Sequence, residues 1–342
     1  MAQPATQKRV SAAVLYSGRF YGAMTPSAWI DNHMRSLIVP NRASVVVVAD
    51  ADNWCDHGNA EVVEALKSRT EAGFARASKL FEEQVRSVFR QWPDVRAALL
   101  RGNSSATAAV QRRAKDVGRS EFPHASASMR RTHNVGLSHR LIPHMQRWYL
   151  QYEHFARAEE LRRRSGGAHD VVVRARVDST LSTVLNLSDP RYAHNHSIVH
   201  APSFRAVNFD GYNERPCTRE DPPTPDEDPL YELHHCARKY RDYLMVGTHK
   251  SIKTLARMVE RRLEYGGSAP LMRCHAWCEE EQTKLQLLRQ NVSLAPLGGR
   301  VVVELQQVRI PKQAAIEGGV PPGGSGCAAG NHRKKDIVDR VD

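Results

Sequence analysis

The stretch His169-Asp170-Val171-Val172-Val173-Arg174-Ala175-Arg176-Val177-Asp178 changes character halfway along its length. Its three consecutive valines follow a Ser-Gly-Gly break and predict a short buried strand. Beyond them Arg174, Arg176 and Asp178 alternate with apolar residues, so at the two-residue period of a strand the three polar side chains share one face. We expect this face to emerge where the strand leaves the core.

Two guanidiniums and a carboxylate at the carboxyl end of a central strand predict a ligand site, because open α/β sheets bind ligands beyond that end. Arg174 and Arg176 could each hold phosphate oxygens with a planar fork, which suits a diphosphate. Asp178 could hold a divalent metal or a ribose hydroxyl. An ordinary strand end with a solvated Arg–Asp pair explains the same letters equally well.

The composition is basic. The 342 residues include 49 Lys and Arg against 37 Asp and Glu, which gives a net charge of +12. Residues 210–232 carry eight acids and two bases, a local charge of −6, so the remainder carries +18. This balance predicts an anionic partner, which could be a nucleic acid, a membrane surface or a phosphorylated small molecule.

Cysteine usage and hydropathy bear on the compartment. The six cysteines are scattered along the chain, which favours a reduced environment over a disulfide scaffold. No apolar run has the length that crosses a bilayer, and the apolar segment 10–16 is short and lacks a small-residue cleavage site. We therefore expect a soluble, cytoplasmic protein.

Hydrophobic periodicity predicts the remaining elements of an α/β fold with a mixed, mostly parallel central sheet flanked by helices. The run ASVVVVA at residues 43–49 is apolar without alternation, as in a parallel strand buried on both faces. Other strands are predicted at residues 9–16, 240–248, 292–294 and 300–305. Helices are predicted from Pro26 and within residues 61–90, 141–164, 249–265 and 274–290.

The same pattern suggests one domain over residues 9–310 with two inserted loops. The first, about 96–134, is rich in Ala, Ser and Arg without a clean period, and the second, 210–232, is Pro-rich and acidic. Residues 1–8 form a flexible lead. Rising Gly and Pro content predicts a disordered tail over residues 311–342.

Two further strand ends carry candidate ligand groups. The first predicted strand runs into Ser17-Gly18-Arg19, a tight turn that can offer backbone N–H groups and a cation to a phosphate or a base. The second runs into Asp50-Ala51-Asp52, where both carboxylates can point the same way and clamp a metal. A loop with helix-capping aspartates is the favoured interpretation of Asp50 and Asp52.

Taken in order, these segments resemble glycosyltransferases of the GT-A type and their relatives in capsule and surface-glycan synthesis. Residues 170–178 look like that family's YDxVIRxRPD segment, with Val177 in place of the proline. The segment Asp242-Tyr243-Leu244-Met245-Val246-Gly247 is similar to the family's D-x-[FL]-x-[VI]-G segment and is again followed by a helix. A later helix with a Glu-rich start, residues 279–281, also fits. The resemblance covers about residues 10–294, with two insertions.

The resemblance implies a Rossmann-like, GT-A-like fold and a nucleoside-diphosphate sugar whose sugar is transferred to a glycan or another hydroxyl acceptor. It places Arg174 and Arg176 near the diphosphate and the Ser17-Gly18-Arg19 turn near the nucleoside. Asp178 would stand where the family has its metal-binding or sugar-binding carboxylate. A divalent cation, Mn²⁺ or Mg²⁺, is the implied cofactor, and Asp50 with Asp52 is the alternative place for it.

The implied reaction requires two kinds of group. Departure of a nucleoside diphosphate builds negative charge, which a metal or arginines must stabilise. An inverting transfer also needs a carboxylate base to deprotonate the acceptor hydroxyl. Asp242 and Glu280 are the candidate bases, and Asp178 is the third candidate catalytic carboxylate. A site of the Arg-x-Arg-x-Asp form could also work without metal or belong to a protein without activity.

Two other classes of function remain open at this point. The net charge, with twelve bases against five acids over residues 111–164, would suit a nucleic-acid-binding protein. The sequence shows no helix-turn-helix, zinc finger or RNA-binding aromatic motif, which makes nucleic acid the less favoured partner. A sulfotransferase-like enzyme would also need arginines for phosphate, but no phosphate loop is evident near the first strand.

Overall fold

The computed structural model of the protein describes residues 10–18, 28–51, 60–100, 138–166, 168–177, 179–204, 239–240, 242–258, 283, 287, 290–297 and 303–305. Its strands, in chain order, are β1 (Ala12–Gly18), β2 (Ser44–Asp50), β3 (Val95–Leu100), β4 (Val171–Ala175), β5 (Ser179–Leu181), β6 (Ile198–Ala201), β7 (Ser203–Phe204), β8 (Lys239–Tyr240), β9 (Leu244–Thr248), β10 (Ser293–Pro296) and β11 (Val303–Leu305). Its helices are α1 (Ala28–His33), α2 (Val39–Asn41), α3 (Ala60–Lys67), α4 (Glu71–Val88), α5 (Ser138–Arg164), α6 (Pro190–Ala193) and α7 (His249–Ala256). A π-helical turn, Met34–Ile38, joins α1 to α2.

Seven strands form the central sheet in the order β10-β6-β9-β4-β1-β2-β3. Strand β1 pairs in parallel with both β2 and β4, β2 with β3, and β6 with β10. Strand β9 runs antiparallel between β4 and β6. The mixed, mostly parallel sheet that the sequence predicts is therefore confirmed. Two small antiparallel pairs, β5 with β11 and β7 with β8, lie outside this sheet.

Strand β2 illustrates why these segments become central strands. Its four consecutive valines, residues 45–48, are no more than 2% exposed. A β-branched side chain fits the pleated surface well, and a run without polar alternation can be buried only when both faces of the sheet are covered. The pattern VVVV therefore places β2 between two layers of helix.

Helices cover both faces of the sheet. The first layer is formed by the helical segment 28–41 together with α4, and the second by α5 and α7. In the described ranges no helix combines the length and the apolar character needed to cross a bilayer. Each layer contributes apolar side chains that are fully or almost fully buried: Trp29, Leu37, Phe81 and Val85 in the first, and Tyr152, Phe155, Ile252 and Leu255 in the second.

The direction in which the chain builds the sheet changes at β1. From β1 the chain adds β2 and then β3 on one side, whereas β4 pairs on the other side of β1. The direction therefore changes between β1 and β4, and in doubly wound sheets the carboxyl ends of two such strands border a crevice. In open α/β sheets this switch point is where ligands bind.

Strand β3 differs from the prediction. It begins at Val95, so residues 96–100 belong to the sheet and not to the insertion predicted from residue 96. Its sequence, VRAALL, lacks both alternation and a β-branched run, and alanine favours strands weakly, so pairing with β2 and packing against α4 decide the structure. The other predicted loop segments, the lead and the tail (residues 1–8, 101–134, 210–232 and 311–342) lie outside the described residues.

Candidate functional site

Four strand ends meet at one edge of the sheet. The parallel register pairs Gly18 at the end of β1 with Ala49 near the end of β2, and Tyr16 with Ala175 at the end of β4. The antiparallel register then pairs Ala175 with Leu244, the first residue of β9. The residues that follow β1, β2 and β4 and those that precede β9 therefore share this edge, which we call the carboxyl edge.

Arg174, Arg176 and Asp242 come together at the carboxyl edge. The Asp242 Oδ2 atom lies 3.6 Å from Nη2 of Arg174, and its Oδ1 atom lies 3.6 Å from Nη1 of Arg176. The side-chain amide of Gln151, on α5, donates a hydrogen bond of 2.7 Å to Asp242 Oδ2. One buried carboxylate thus stands between two guanidiniums and is held by an amide from the helix above.

The guanidinium of Arg174 lies inside the molecule, under α5. Its side chain is 3% exposed, and its Cζ atom lies 4.7 Å from the ring centre of Tyr152 and 5.3 Å from that of Phe155. Nη1 also donates to the hydroxyl of Tyr152 at 3.4 Å. Aromatic faces and a carboxylate are the surroundings that make a desolvated arginine tolerable.

Arg176 is the accessible member of the pair. Its side chain is 36% exposed, and its Cζ atom lies 5.5 Å from the ring centre of Tyr243. The backbone N–H of Arg176 donates to the carbonyl oxygen of Tyr243 at 2.9 Å, which continues the pairing of β4 with the residues before β9. The structure therefore presents one guanidinium to solvent and keeps the other beneath it.

Ser17 and Gly18 close β1 at the same edge, with Gly18 one position from the end of the β2 pairing. Gly18 has φ +108°, a backbone conformation that a residue with a Cβ rarely adopts. A Cβ atom built at Gly18 would meet no atom of the described residues within 4 Å, so the backbone here faces open space. This is the geometry that lets a ligand approach the main chain closely.

Four of the predicted site residues, Arg19, Asp52, Asp178 and Glu280, lie outside the described residues. Asp50 is the last residue of β2, so its backbone lies at the carboxyl edge beside the end of β1. The roles predicted for these five residues stay predictions.

The described residues do not supply a metal site. Among them no group of three His, Cys, Asp or Glu side chains is placed to hold a metal ion. Asp242 is unsuited to a cation, because both of its oxygens face guanidiniums and one accepts from Gln151. A role for Mn²⁺ or Mg²⁺ therefore depends on the predicted carboxylates Asp178, Asp50 and Asp52.

A buried polar group under the site, His33, was not among the residues that the sequence predicted for the site. His33 is fully buried beside Tyr16 and Ser179, and Asn32 holds the backbone of Leu181. Burial raises the pKa of the Tyr16 phenol well above its ordinary value. The sequence does show polar residues, Asn32 and His33, beside apolar positions of the predicted helix. It could not show which distant strand these side chains contact.

The arrangement suits an anionic ligand of modest size. An accessible guanidinium, a glycine backbone facing open space and the ends of parallel strands are the groups that bind phosphates in α/β proteins. Comparison of the sequence with protein-family models and with curated proteins gives no match. The functional conclusion therefore depends on the chemistry of the carboxyl edge.

Proposed function

We propose that the chain is a GT-A-like glycosyltransferase that transfers a sugar from a nucleoside-diphosphate sugar to a hydroxyl acceptor. The observation that carries the proposal is the cluster of Arg174, Arg176 and Asp242 at the carboxyl edge. It lies at the end of β4, next to the Ser17-Gly18 end of β1, where the strand order reverses. A nucleotide placed in that crevice would have its phosphates within reach of a fixed positive charge.

The strand order supports the same proposal. The sequence β3-β2-β1-β4 within the sheet has the order 3-2-1-4 with which doubly wound, nucleotide-binding sheets begin. In such sheets the ligand occupies the crevice beside the first strand. The candidate residues of this chain follow β1 and β4, the two strands that border the crevice.

The two arginines have different roles in the proposed reaction. Arg176 is accessible and binds the diphosphate, whose negative charge grows as the bond to the sugar breaks. Arg174 is buried and contributes its charge from beneath, without direct access to solvent. The exposed part of the Arg176 guanidinium offers charged N–H donors to an anion.

Asp242 acts in this proposal as a positioning residue and not as the base. A general base must be within hydrogen-bonding reach of the proton that it removes. Asp242 is 5% exposed, and its oxygens are directed at Arg174, Arg176 and Gln151. Holding both guanidiniums in place is the task that this geometry fits, and the base is left to a carboxylate such as Asp178 or Glu280.

A thermal-unfolding screen tests the proposal. UDP, GDP and ADP, a nucleotide sugar of each, and adenosine 3′,5′-bisphosphate are each compared with the corresponding nucleoside, with and without MnCl₂. At about one hundred times its dissociation constant, a ligand specific for the folded state stabilises it by about 2.7 kcal/mol. We expect at least one diphosphate, and none of the nucleosides, to raise the melting temperature.

The screen also distinguishes the proposed glycosyltransferase from a sulfotransferase-like enzyme. Stabilisation by adenosine 3′,5′-bisphosphate alone would favour the sulfotransferase-like alternative. If no diphosphate or nucleotide sugar shifts the transition at any concentration, with or without the metal, the proposed function is wrong.

A further inference from the structure

A chain of three hydrogen bonds, two of them buried and the last partly buried, runs beneath the carboxyl edge. The hydroxyl of Tyr16, in β1, lies 2.8 Å from Nδ1 of His33 at the end of α1. Nε2 of His33 lies 3.3 Å from Oγ of Ser179, the first residue of β5. Oγ of Ser179 donates to the backbone carbonyl of Arg176 at 2.7 Å. The chain thus connects β1 to the residue that carries the accessible guanidinium.

For a neutral His33, one tautomer satisfies all three bonds. Ser179 gives its proton to the Arg176 carbonyl, so its oxygen must accept from His33 Nε2–H. The other ring nitrogen of a neutral His33 then accepts from Tyr16, whose phenol keeps its proton because burial raises its pKa. A neutral imidazole with the proton on Nε2 fits this chain, and all three side chains are fully buried.

The chain ends on the turn that follows β4. In this turn the backbone N–H of Ser179 donates to the carbonyl of Arg176 at 3.2 Å, and the Ser179 hydroxyl donates to the same oxygen. The turn begins at Arg176 and includes the position of Asp178. The end of β5, the strand that follows the turn, is held by Asn32. The Asn32 side-chain amide accepts from Leu181 N–H at 2.7 Å and donates to Leu181 O at 2.8 Å.

We infer that His33 and Ser179 are positioning residues of the ligand site, which set the orientation of the 176–179 turn. This inference depends on the proposed function. Tyr16 fixes the imidazole, the imidazole fixes the Ser179 hydroxyl, and the hydroxyl fixes the carbonyl of Arg176. The buried rings of Trp29 and Phe89 pack near Tyr16, with ring centres 5.8 and 5.6 Å from its own.

Ser179→Ala is the variant that tests this role, because it removes the last two bonds of the chain, those of the Ser179 hydroxyl with His33 and with the Arg176 carbonyl, and leaves Tyr16 and His33 paired. Ser251→Ala is the matched control. Ser251 is equally buried, and its hydroxyl also donates to a carbonyl three residues earlier, that of Thr248, at 3.1 Å. Thr248 is at the opposite end of β9, away from the carboxyl edge.

Calorimetric titration measures the affinity for the diphosphate that stabilises the parent protein most in the screen of UDP, GDP and ADP. We expect Ser179→Ala to weaken this affinity by about tenfold, the effect of losing one neutral hydrogen bond that orients the site. Ser251→Ala should bind like the parent protein, even if its melting temperature falls by the same amount. The imidazole ¹⁵N shifts of the parent should show His33 protonated at Nε2, with its signals identified by their loss in His33→Gln.

Two results would overturn the inference. Equal diphosphate affinities for the parent, Ser179→Ala and Ser251→Ala would show that the chain serves the fold alone. Imidazole shifts that show His33 protonated at Nδ1 would mean that the donors and acceptors assigned to this chain of bonds are reversed. A parent protein that binds no diphosphate contradicts the proposed function itself, and the positioning role fails with it.

Discussion

Arg174 carries a permanent charge into the interior of the protein. Its guanidinium is 3% exposed and lies between Asp242 and the rings of Tyr152 and Phe155. Removing a guanidinium and a carboxylate from water is costly, and their mutual attraction offsets that cost only when both are present. A buried ion pair therefore adds little net stability to the fold, even though removing one partner is strongly destabilising. The presence of Arg174 and Asp242 at the carboxyl edge is better explained by the position in which they hold Arg176.

Removing the carboxylate should be strongly destabilising. In Asp242→Ala the buried guanidinium loses its counter-charge, and we expect the free energy of unfolding to fall by about 3–5 kcal/mol. Glu82→Ala is the control, since Glu82 pairs with Arg86 at 2.8 Å on an exposed helix surface, where such pairs contribute about 0.3–0.5 kcal/mol. Urea unfolding followed by circular dichroism measures both. Losses of similar, small size in the two variants would show that Arg174 does not depend on Asp242.

The buried phenol of Tyr16 makes stability depend on alkaline pH. Burial raises its pKa in the folded state, whereas an unfolded tyrosine loses its proton near pH 10. Above about pH 10 the folded state therefore binds more protons than the unfolded state, and the free energy of unfolding decreases as pH rises. One such proton contributes a slope of up to about 1.4 kcal/mol per pH unit.

Tyr16→Phe removes this titration. We expect its free energy of unfolding to decrease less steeply than that of the parent protein between neutral pH and about pH 11. Urea unfolding at a series of pH values gives both slopes, and the offset from the lost hydrogen bond to His33 does not affect them. Identical slopes would mean that Tyr16 titrates normally in the folded protein.

The helical segment 28–41 fixes the strand and loop that follow the site. Asn32 pairs with both backbone groups of Leu181, as described above, and Asn41 donates to the carbonyl of Leu185 and accepts from the N–H of Leu187, both at 2.8 Å. Backbone groups of an irregular segment need partners when they are buried. These two asparagines supply such partners, which explains how a loop without its own regular structure holds a defined course against the first helix layer.

Replacing either asparagine should therefore lower the free energy of unfolding more than replacing an ordinary polar residue of a helix. We expect Asn32→Ala and Asn41→Ala each to lower the free energy of unfolding by about 1–3 kcal/mol, because backbone groups of residues 181–187 lose their partners. Asn195→Ala is the control, since the Asn195 side chain is exposed and accepts only from the nearby Ser197 N–H at 2.9 Å. Thermal and urea unfolding measure the three variants. A loss in the control as large as in the other two would contradict the proposed anchoring.

The elements that the sequence could predict are those with a strong local pattern. The valines of β2 and β4 and the apolar positions of α4 and α5 have periods that fix their type without tertiary information. Strand β3 and the π-helical turn at residues 34–38 have no such signature. Their structure depends on neighbours, namely pairing with β2 in one case and packing between α1 and α2 in the other.

The same distinction applies to the site. Arg174 and Arg176 were predicted to lie at a sheet edge, because polar residues at the carboxyl end of a buried strand lie there. Asp242 precedes β9 and reaches the same edge because β9 runs antiparallel to β4, an orientation that the local pattern does not specify. The contribution of Gln151 was not predicted either, since it is 91 residues from Asp242 in the sequence and has no local pattern. His33 and Ser179, 146 residues apart, are a second example. The sequence also suggested two equivalent arginines, whereas the packing of α5 buries one and leaves the other accessible.

The groups of the proposed ligand site lie at one edge of one sheet, and the net charge of +12 favours anionic partners in general. General attraction by a basic surface would depend little on any single arginine. A built site would depend strongly on Arg176, the accessible guanidinium, and on no other arginine of similar exposure. This difference separates a specific diphosphate pocket from non-specific binding.

Arg191 provides the comparison. Like Arg176 it is half-exposed, pairs with an aspartate and lies over a tyrosine ring, with Nε 2.8 Å from Asp189 and Cζ 6.0 Å from the ring centre of Tyr192. It lies beside β6, with its backbone carbonyl 3.2 Å from Nε2 of His200, and β6 is separated from β4 by β9 in the sheet. Substitution by alanine removes the same charge in both cases.

Calorimetric titration of the best-binding nucleoside diphosphate into Arg176→Ala and Arg191→Ala decides between the two explanations. We expect Arg176→Ala to bind about ten- to a hundredfold more weakly than the parent protein, the effect of losing a charge-assisted hydrogen bond to phosphate, and Arg191→Ala to bind like the parent. Equal affinities in the two variants, with both folded, would contradict a diphosphate site at the carboxyl edge.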